Sequence, residues 1–258
     1  MSNSEQARHY IFGQMQKVKG FLSPLDGLLL SSLTIHQNSQ GWGGSIAEIG
    51  VYQGRSYYLF RMMLKDDERC IGMDIFEHGD VRTPYQAFAD NGRMLGSPVN
   101  VEDIIVGDTM RIDPLDLKER HGAFRFIHID GCHEFDYVRN DADIADGTLA
   151  PYGVICFDDF FNPQYPDVTI AVTEFLSAHR DKYAVIAITQ NKLYACLKSH
   201  ADQYKQAILS APLLHKVSKL PTQMNGDDIL WCSNARSSQI AYKLAAQMNV
   251  PTLARMVY

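Results

Sequence analysis

From Ser45 onward the chain alternates short apolar runs with segments of helical pattern, and that alternation leaves few folds open to it. "SIAEIGV", "RCIGMDIF", "VEDIIVGD", "FRFIHID", "GVICFDD" and "YAVIAIT" read as strands. Between them lie "RSYYLFRMML", "PLDLKER", the stretch from Glu134 to Leu149 and "VTIAVTEFLSAHR", all helix-like. Strands bounded by glycine or polar residues and separated by helices join as right-handed βαβ units, so the fold class is α/β, a mostly parallel sheet with helices on both faces. "YAVIAIT" and "KLYACLK" are separated only by Gln190 and Asn191, which suits a tight hairpin and an antiparallel ending to the sheet.

Ahead of the sheet, Ser23-Pro24-Leu25-Asp26 is a helix entry: a serine cap, proline at the first helical position and an acid three residues after the cap. Leu25, Leu28, Leu29 and Leu33 then fall on one stripe. After His200, "ADQYKQAILSA" reads as helix and "ILWCS" as strand, and Ile240, Ala241, Leu244, Ala245 and Met248 form a last helical stripe. The expected organisation is an N-terminal helical segment over 1–43, a core over 44–198 and a C-terminal extension over 199–258 packed on it. The extension would cap the active site or make a subunit contact, which leaves a homo-oligomer open.

A net charge of −6 provides no basic footprint for nucleic acid. No apolar run nears the roughly 20 residues that span a bilayer, and the N-terminus lacks a signal-peptide core, so a cytoplasmic location is expected. Five dispersed cysteines with no CxxC pair indicate neither a disulfide framework nor a thiolate zinc site.

The chemistry is concentrated at strand ends. Asp130 ends "FRFIHID", with His133 just beyond it, and Asp158 and Asp159 end "GVICFDD". In a parallel sheet these groups emerge at one edge. Three converging carboxylates repel one another unless a positive charge lies between them, which raises some of their pKa values or recruits a cation. Magnesium suits such ligands, because it takes a few carboxylates and keeps waters for a substrate to displace. His133 is a candidate general base, since an imidazole exchanges protons near neutral pH. His128 is expected in the core.

Earlier, "AEIGVYQGRS" places Gly50 and Gly54 between a strand and a helix, without the spacing of a dinucleotide fingerprint or a P-loop. Asp74 closes the next strand, where an acid can accept from ribose hydroxyls. Gly107, Asp108 and Thr109 end the third, where they would face an adenine edge. Together the three strand ends describe a nucleoside site. The segment from His78 to Leu95, with Arg82 and Arg93, is a candidate lid, and Tyr85, Phe88, Phe160, Phe161 and Tyr165 are candidates for an aromatic wall.

Glu48, Gly50, Gly54, Ser56 and Asp74 resemble the first two motifs of class I S-adenosylmethionine-dependent methyltransferases, whose sheet also ends in a reversed strand. "IDGCHEFDYVRNDADIADGTLAPYGVICFDDF" resembles the macrocin O-methyltransferase and cephalosporin-hydroxylase-type branch, over roughly residues 44 to 197. Two departures, Phe135-Asp136 in place of a tyrosine and Tyr152 in place of a glycine, bear on packing. The resemblance implies S-adenosyl-L-methionine bound by Glu48, Gly50, Tyr52, Gly54, Ser56, Asp74, Ile75, Gly107, Asp108, Thr109 and Asp130. It implies a divalent metal, magnesium, on Asp130, Asp158 and Asp159. The expected activity is methylation of a hydroxyl on a sugar or other small oxygenated metabolite, with Asp130 or His133 taking the proton. Two alternatives are a metallohydrolase using Asp130, His133, Asp158 and Asp159, with His128 turned outward, and a cofactor-binding protein without transfer activity.

Overall fold

The computed structural model describes residues 2–77 and 84–234. Arg82, the first part of the expected lid and the stripe from Ile240 to Met248 lie outside the described residues.

Two helices come first, α1 (Asn3–Phe12) and α2 (Pro24–Ser39). The entry to α2 is as expected: the Ser23 hydroxyl oxygen accepts from the Asp26 backbone N–H at 3.1 Å and Pro24 sits in the first turn. The sheet begins with β1 (Ile46–Ile49), followed by α3 (Arg55–Arg61), β2 (Cys70–Asp74), α4 (Pro84–Met94), β3 (Ile104–Val106) and α5 (Pro114–His121). Next come β4 (Phe124–Ile129), α6 (Phe135–Thr148), β5 (Leu149–Phe157), α7 (Pro166–Ala178), β6 (Tyr183–Ile188) and β7 (Leu193–Leu197). The described chain closes with α8 (Ala201–Ser210), β8 (Ser218–Met224) and β9 (Asp227–Ser233).

These strands form one sheet in the order β3-β2-β1-β4-β5-β7-β6-β9-β8. The first five are parallel, and β7 runs antiparallel between β5 and β6. The sheet does not stop at that reversed pair: β9 adds parallel to β6, and β8 follows antiparallel at the far edge. Residues 218–233 of the segment after His200 are therefore hydrogen-bonded into the sheet.

Alternate residues of each strand feed two apolar layers. One face packs Ile46, Phe126, Val154 and Tyr194 against leucines of α2 and aromatics of α3. The other packs Ile49, Ile127, Ile155 and Phe157 against α6 and α7. The second half of the expected lid is packed helix: Phe88 of α4 is fully buried among Tyr57, Tyr58 and Phe76. Tyr152 stacks on Trp42 at 5.2 Å and donates to the Gly43 carbonyl at 2.6 Å, so its departure from the glycine pattern is indeed a matter of packing.

A buried cation holds the opposite end of the sheet together. Arg125 is fully buried at the start of β4 and pairs with Glu68 in a fork, Nη2 to Oε2 at 2.7 Å and Nε to Oε1 at 3.1 Å. It also donates to Gln37 of α2 and to the Gly44 and Met63 carbonyls. Removing one partner of such a pair strands the other's charge in the interior, at about 3–5 kcal/mol. Arg125→Met is expected to lose about that much in urea denaturation, and Arg125→Met with Glu68→Leu to recover most of it. A single-variant loss below about 1 kcal/mol would show that the fork is not a clamp.

Candidate active site

Where β1 ends, Gly50 takes φ +84°, and a Cβ there would lie 1.8 Å from the Asp130 carbonyl oxygen. Only glycine lets this turn press on the exit of β4. Tyr52 follows at φ +49°, and Gly54, at φ +89°, caps α3 where a side chain would strike the rings of Tyr58 and Phe88. Asp74 is buried and tied into the same turn: Oδ2 accepts from the N–H groups of Val51 and Tyr52 at 2.8 and 2.7 Å, and Oδ1 from that of Phe76 at 2.6 Å. A carboxylate has about four lone-pair sites, so Asp74 chiefly shapes the turn and keeps little capacity for a ligand.

Ser56 is buried in the first turn of α3, and Ile75 is exposed beside Asp74. Beyond β3, Gly107 donates its N–H to the Asp74 carbonyl at 3.1 Å, and Asp108 caps the next turn through the N–H of Met110. Thr109 is buried, with its hydroxyl on Asp141. All of these lie at the carboxyl edge of β1, β2 and β3. Glu48 does not join them: it is fully buried inside β1, and its Oε1 lies 2.7 Å from His128 Nδ1.

That contact begins a chain of buried charges. Glu48 and His128 are register partners on β1 and β4. His128 Nε2 lies 3.0 Å from Nζ of Lys192, and the same ammonium forms a close ion pair with Asp158 Oδ2. An ammonium can only donate, so His128 Nε2 accepts and its ring proton sits on Nδ1, given to Glu48. Lys192 is 2% exposed and directly precedes β7; its neighbour Asn191 donates to Asp158 Oδ1 at 2.9 Å and to Asp159 Oδ1 at 3.0 Å.

The two adjacent acids face different ways. Asp159 has φ +55°, a conformation that costs a non-glycine residue about 1–2 kcal/mol. Its Oδ1 accepts from Asn162 at 2.7 Å, and its Oδ2 lies 2.9 Å from Nε2 of His133. The latter is a close polar contact rather than an aligned hydrogen bond. His133 is partly exposed and stacks on Tyr165, ring centroids 3.8 Å apart. Of the expected aromatic wall, Tyr165 meets the imidazole and Phe161 is exposed, whereas Phe160 is buried.

Electrostatics separates the three acids. Burial would raise Asp158, but the ammonium of Lys192, through its charge and its hydrogen bond, brings it below the usual carboxylate range. Burial is likewise outweighed at Asp159, where His133, Asn162 and Asn191 hold the carboxyl down at about 2. Asp130 goes the other way: burial, then the negative charge of Asp158, push it well above its ordinary value, and its carboxyl hydrogen-bonds Asp158.

A divalent cation on Asp130, Asp158 and Asp159 would need free oxygens on all three. Asp158 offers none: Oδ2 is held by Lys192, and Oδ1 accepts from Asn191 and from the Asp159 N–H at 2.8 Å. As built, the expected three-carboxylate set does not fit a metal ion. Two smaller groupings bring ligand atoms within 4.8 Å of one another, His128/Asp130/Asp158 and Asp130/His133/Asp159. In the first, both imidazole nitrogens are already engaged. The same engagement removes the outward-facing His128 that a hydrolase would need.

Sequence reasoning passed over Lys192 and Asn191. The available signal was a lysine opening the apolar strand "KLYACLK", because a charge at the start of a buried strand needs a partner.

Residues 47–160 match the model of a methyltransferase domain. No curated protein matches the chain. Among solved structures, an SAH-bound methyltransferase from Podospora anserina is similar at 17% identity and TM-score 0.51, covering 74% of this chain and 88% of its own. An O-methyltransferase from Bacillus cereus in complex with SAH gives 18%, 0.51, 77% and 91%. The O-methyltransferase TomG from Streptomyces achromogenes, in complex with SAM, gives 18%, 0.50, 76% and 90%. At these identities the likeness is one of fold.

Beneath the site, Asp141 of α6 is 1% exposed, its Oδ2 has no hydrogen-bond partner, and burial pushes its carboxyl up to about 6 despite the Thr109 hydroxyl and the Asn140 amide. An unfolded aspartate titrates near ~3.9. With the folded value raised, the penalty is absent below about pH 4 and fully present above about pH 6. Asp141→Asn should therefore stabilise the protein at pH 8 by on the order of 2–3 kcal/mol and leave it unchanged near pH 4. Denaturant unfolding at both pH values checks this, and an equal effect at the two would refute it.

Proposed function

On a chain that carries a methyltransferase domain of the class I fold over residues 47–160, we propose that methyl transfer from S-adenosyl-L-methionine to an oxygen acceptor is the activity. The observation that carries this reading is the contact of Gly50 with the backbone of Asp130. The turn after β1 lies directly against Asp130 at the end of β4, with His133 just beyond it, which supports a donor and a proton acceptor sharing one cleft.

The turn from Gly50 to Gly54, braced by Asp74, would hold the cofactor, with the exposed side chain of Ile75 against its nucleoside. The acceptor would be a hydroxyl of a sugar or another small oxygenated metabolite. Its oxygen attacks the methyl carbon as the carbon–sulfur bond breaks, the bonding pair stays on sulfur as a neutral thioether, and the hydroxyl proton must leave. His133 is the group that takes it. Asp159 and Tyr165 fix the ring, and with Nε2 turned to Asp159 the base acts through Nδ1. A divalent ion on Asp130, Asp158 and Asp159 would orient the acceptor oxygens, but it fits only with Lys192 displaced, and no step here is routed through it.

Calorimetry is expected to show S-adenosylhomocysteine binding that is lost in Asp74→Ala, because the turn loses its brace. His133→Ala should keep that binding and reduce turnover on a responsive acceptor by about 10²–10⁴-fold, the usual contribution of general base catalysis. Absence of any S-adenosylhomocysteine or S-adenosylmethionine binding by the purified protein would overturn the methyltransferase reading.

A further inference from the structure

We propose that Lys192 is the site's built-in cation: its ammonium, fixed on the β6–β7 hairpin, neutralises Asp158 in place of a divalent ion. The inference concerns the same cleft and rests on the methyltransferase reading for its meaning.

Lys192 is anchored at both ends. Its backbone carbonyl accepts from the Thr189 N–H at 2.8 Å and its own N–H donates to the Thr189 hydroxyl at 3.0 Å, which closes the turn that carries Gln190 and Asn191. Its side chain is 2% exposed and reaches back along β5 to Asp158 and His128. A lysine this enclosed has no solvent-facing position to retreat to. For a metal ion to take Asp158, the ammonium would have to lose its ion pair and remain buried, which the low-dielectric interior strongly opposes.

The ligand atoms of His128 and the second oxygen of Asp158 are also engaged. His128 donates from Nδ1 to Glu48 and accepts at Nε2 from Lys192. The second oxygen of Asp158 accepts from Asn191 and from the Asp159 backbone. Asp26, in the first turn of α2, lies close enough to act on Lys192 as a further negative charge. The ammonium thus sits where the acids of β5, β4 and α2 converge and supplies the charge that a divalent ion would otherwise bring. It is a positioning group: it touches neither donor nor acceptor, and it sets which acids are free to face them.

The test is Mn2+ binding by the full chain, followed by calorimetry and electron paramagnetic resonance, with S-adenosylhomocysteine binding measured on the same preparation. Wild type is expected to bind no stoichiometric Mn2+ at micromolar concentration. Lys192→Met, which frees Asp158 and His128, is expected to gain a Mn2+ site at least tenfold tighter, a gain that a purely structural role would not produce. Lys192→Met with Asp158→Asn removes both partners, spares the fold an unpaired buried carboxylate, and is expected to bind none. Stoichiometric Mn2+ binding by wild type overturns the proposal, whether Asp158→Asn abolishes it or Asp159→Asn does. The wild-type result decides even if Lys192→Met does not fold. Intact S-adenosylhomocysteine affinity alongside Mn2+ binding sinks the cation assignment alone, whereas no S-adenosylhomocysteine affinity sinks the methyltransferase reading and leaves the Mn2+ result standing.

Discussion

The pair of Lys192 and Asp158, with His128 and Glu48 behind it, is the constraint to which the rest of the site is fitted. Lys192 directly precedes β7, Asp158 directly follows β5, and His128 and Glu48 lie in β4 and β1, so a single run of polar contacts crosses the sheet at its carboxyl edge. Each member is almost fully buried. Buried charges of this kind add little net stability over an apolar core, but they are intolerant of register error, because a slipped strand leaves a charge without its partner. The run therefore pins β7 against β5, and that reversed strand is the part of the topology that departs from simple βαβ repetition.

Above this layer the glycine turn and the acids are brought together by backbone rather than by side chains. Gly50 permits a contact with the Asp130 carbonyl that no other residue allows, and Asp74 spends most of its hydrogen-bonding capacity on the N–H groups of that turn. The result is an edge at which Ile75 and Asp130 directly follow β2 and β4, with His133 just beyond Asp130. Glycines at such positions are explained first by close approach of chain to chain, and a ligand gains from a shape that exists before it arrives.

What could be read from sequence follows from range. The α/β alternation, the Ser23 cap and the α2 stripe, the hairpin at Gln190-Asn191 and the placing of Asp130, Asp158 and Asp159 at strand ends are local patterns, and the structure has all of them. Partnership between strands is not local. Glu48 reads as a motif acid until its register with His128 is known, and three acids with no visible counter-charge invite a metal ion because the lysine that answers them lies more than thirty positions downstream, in an antiparallel strand. The signal that could have corrected this was chemical: an ionisable residue inside an apolar strand, as at Glu48 and His128, or at its very start, as at Lys192, implies another one across the ladder. The strands β8 and β9 extend the sheet for a comparable reason, since their pairing to β6 depends on an edge that no single segment reveals.

The left-handed conformation of Asp159 completes the division of labour. Consecutive residues leaving a strand would alternate faces by default, yet here the turn rotates Asp159 so that it meets His133, while Asp158 is drawn inward to Lys192. Two adjacent carboxylates in one environment would raise each other's pKa, and one would be protonated. Separated, both lie below the usual range, Asp158 held by the Lys192 ammonium and Asp159 by His133, Asn162 and Asn191, whereas burial and the charge of Asp158 push Asp130 up. One acid then serves the fold, one orients an imidazole, and one meets the cleft. Because local strain persists only where the surroundings over-determine it, the five partners that hold Asp158 and Asp159, namely Lys192, Asn191, Asn162, His133 and His128, account for why a conformation disfavoured at Asp159 is retained.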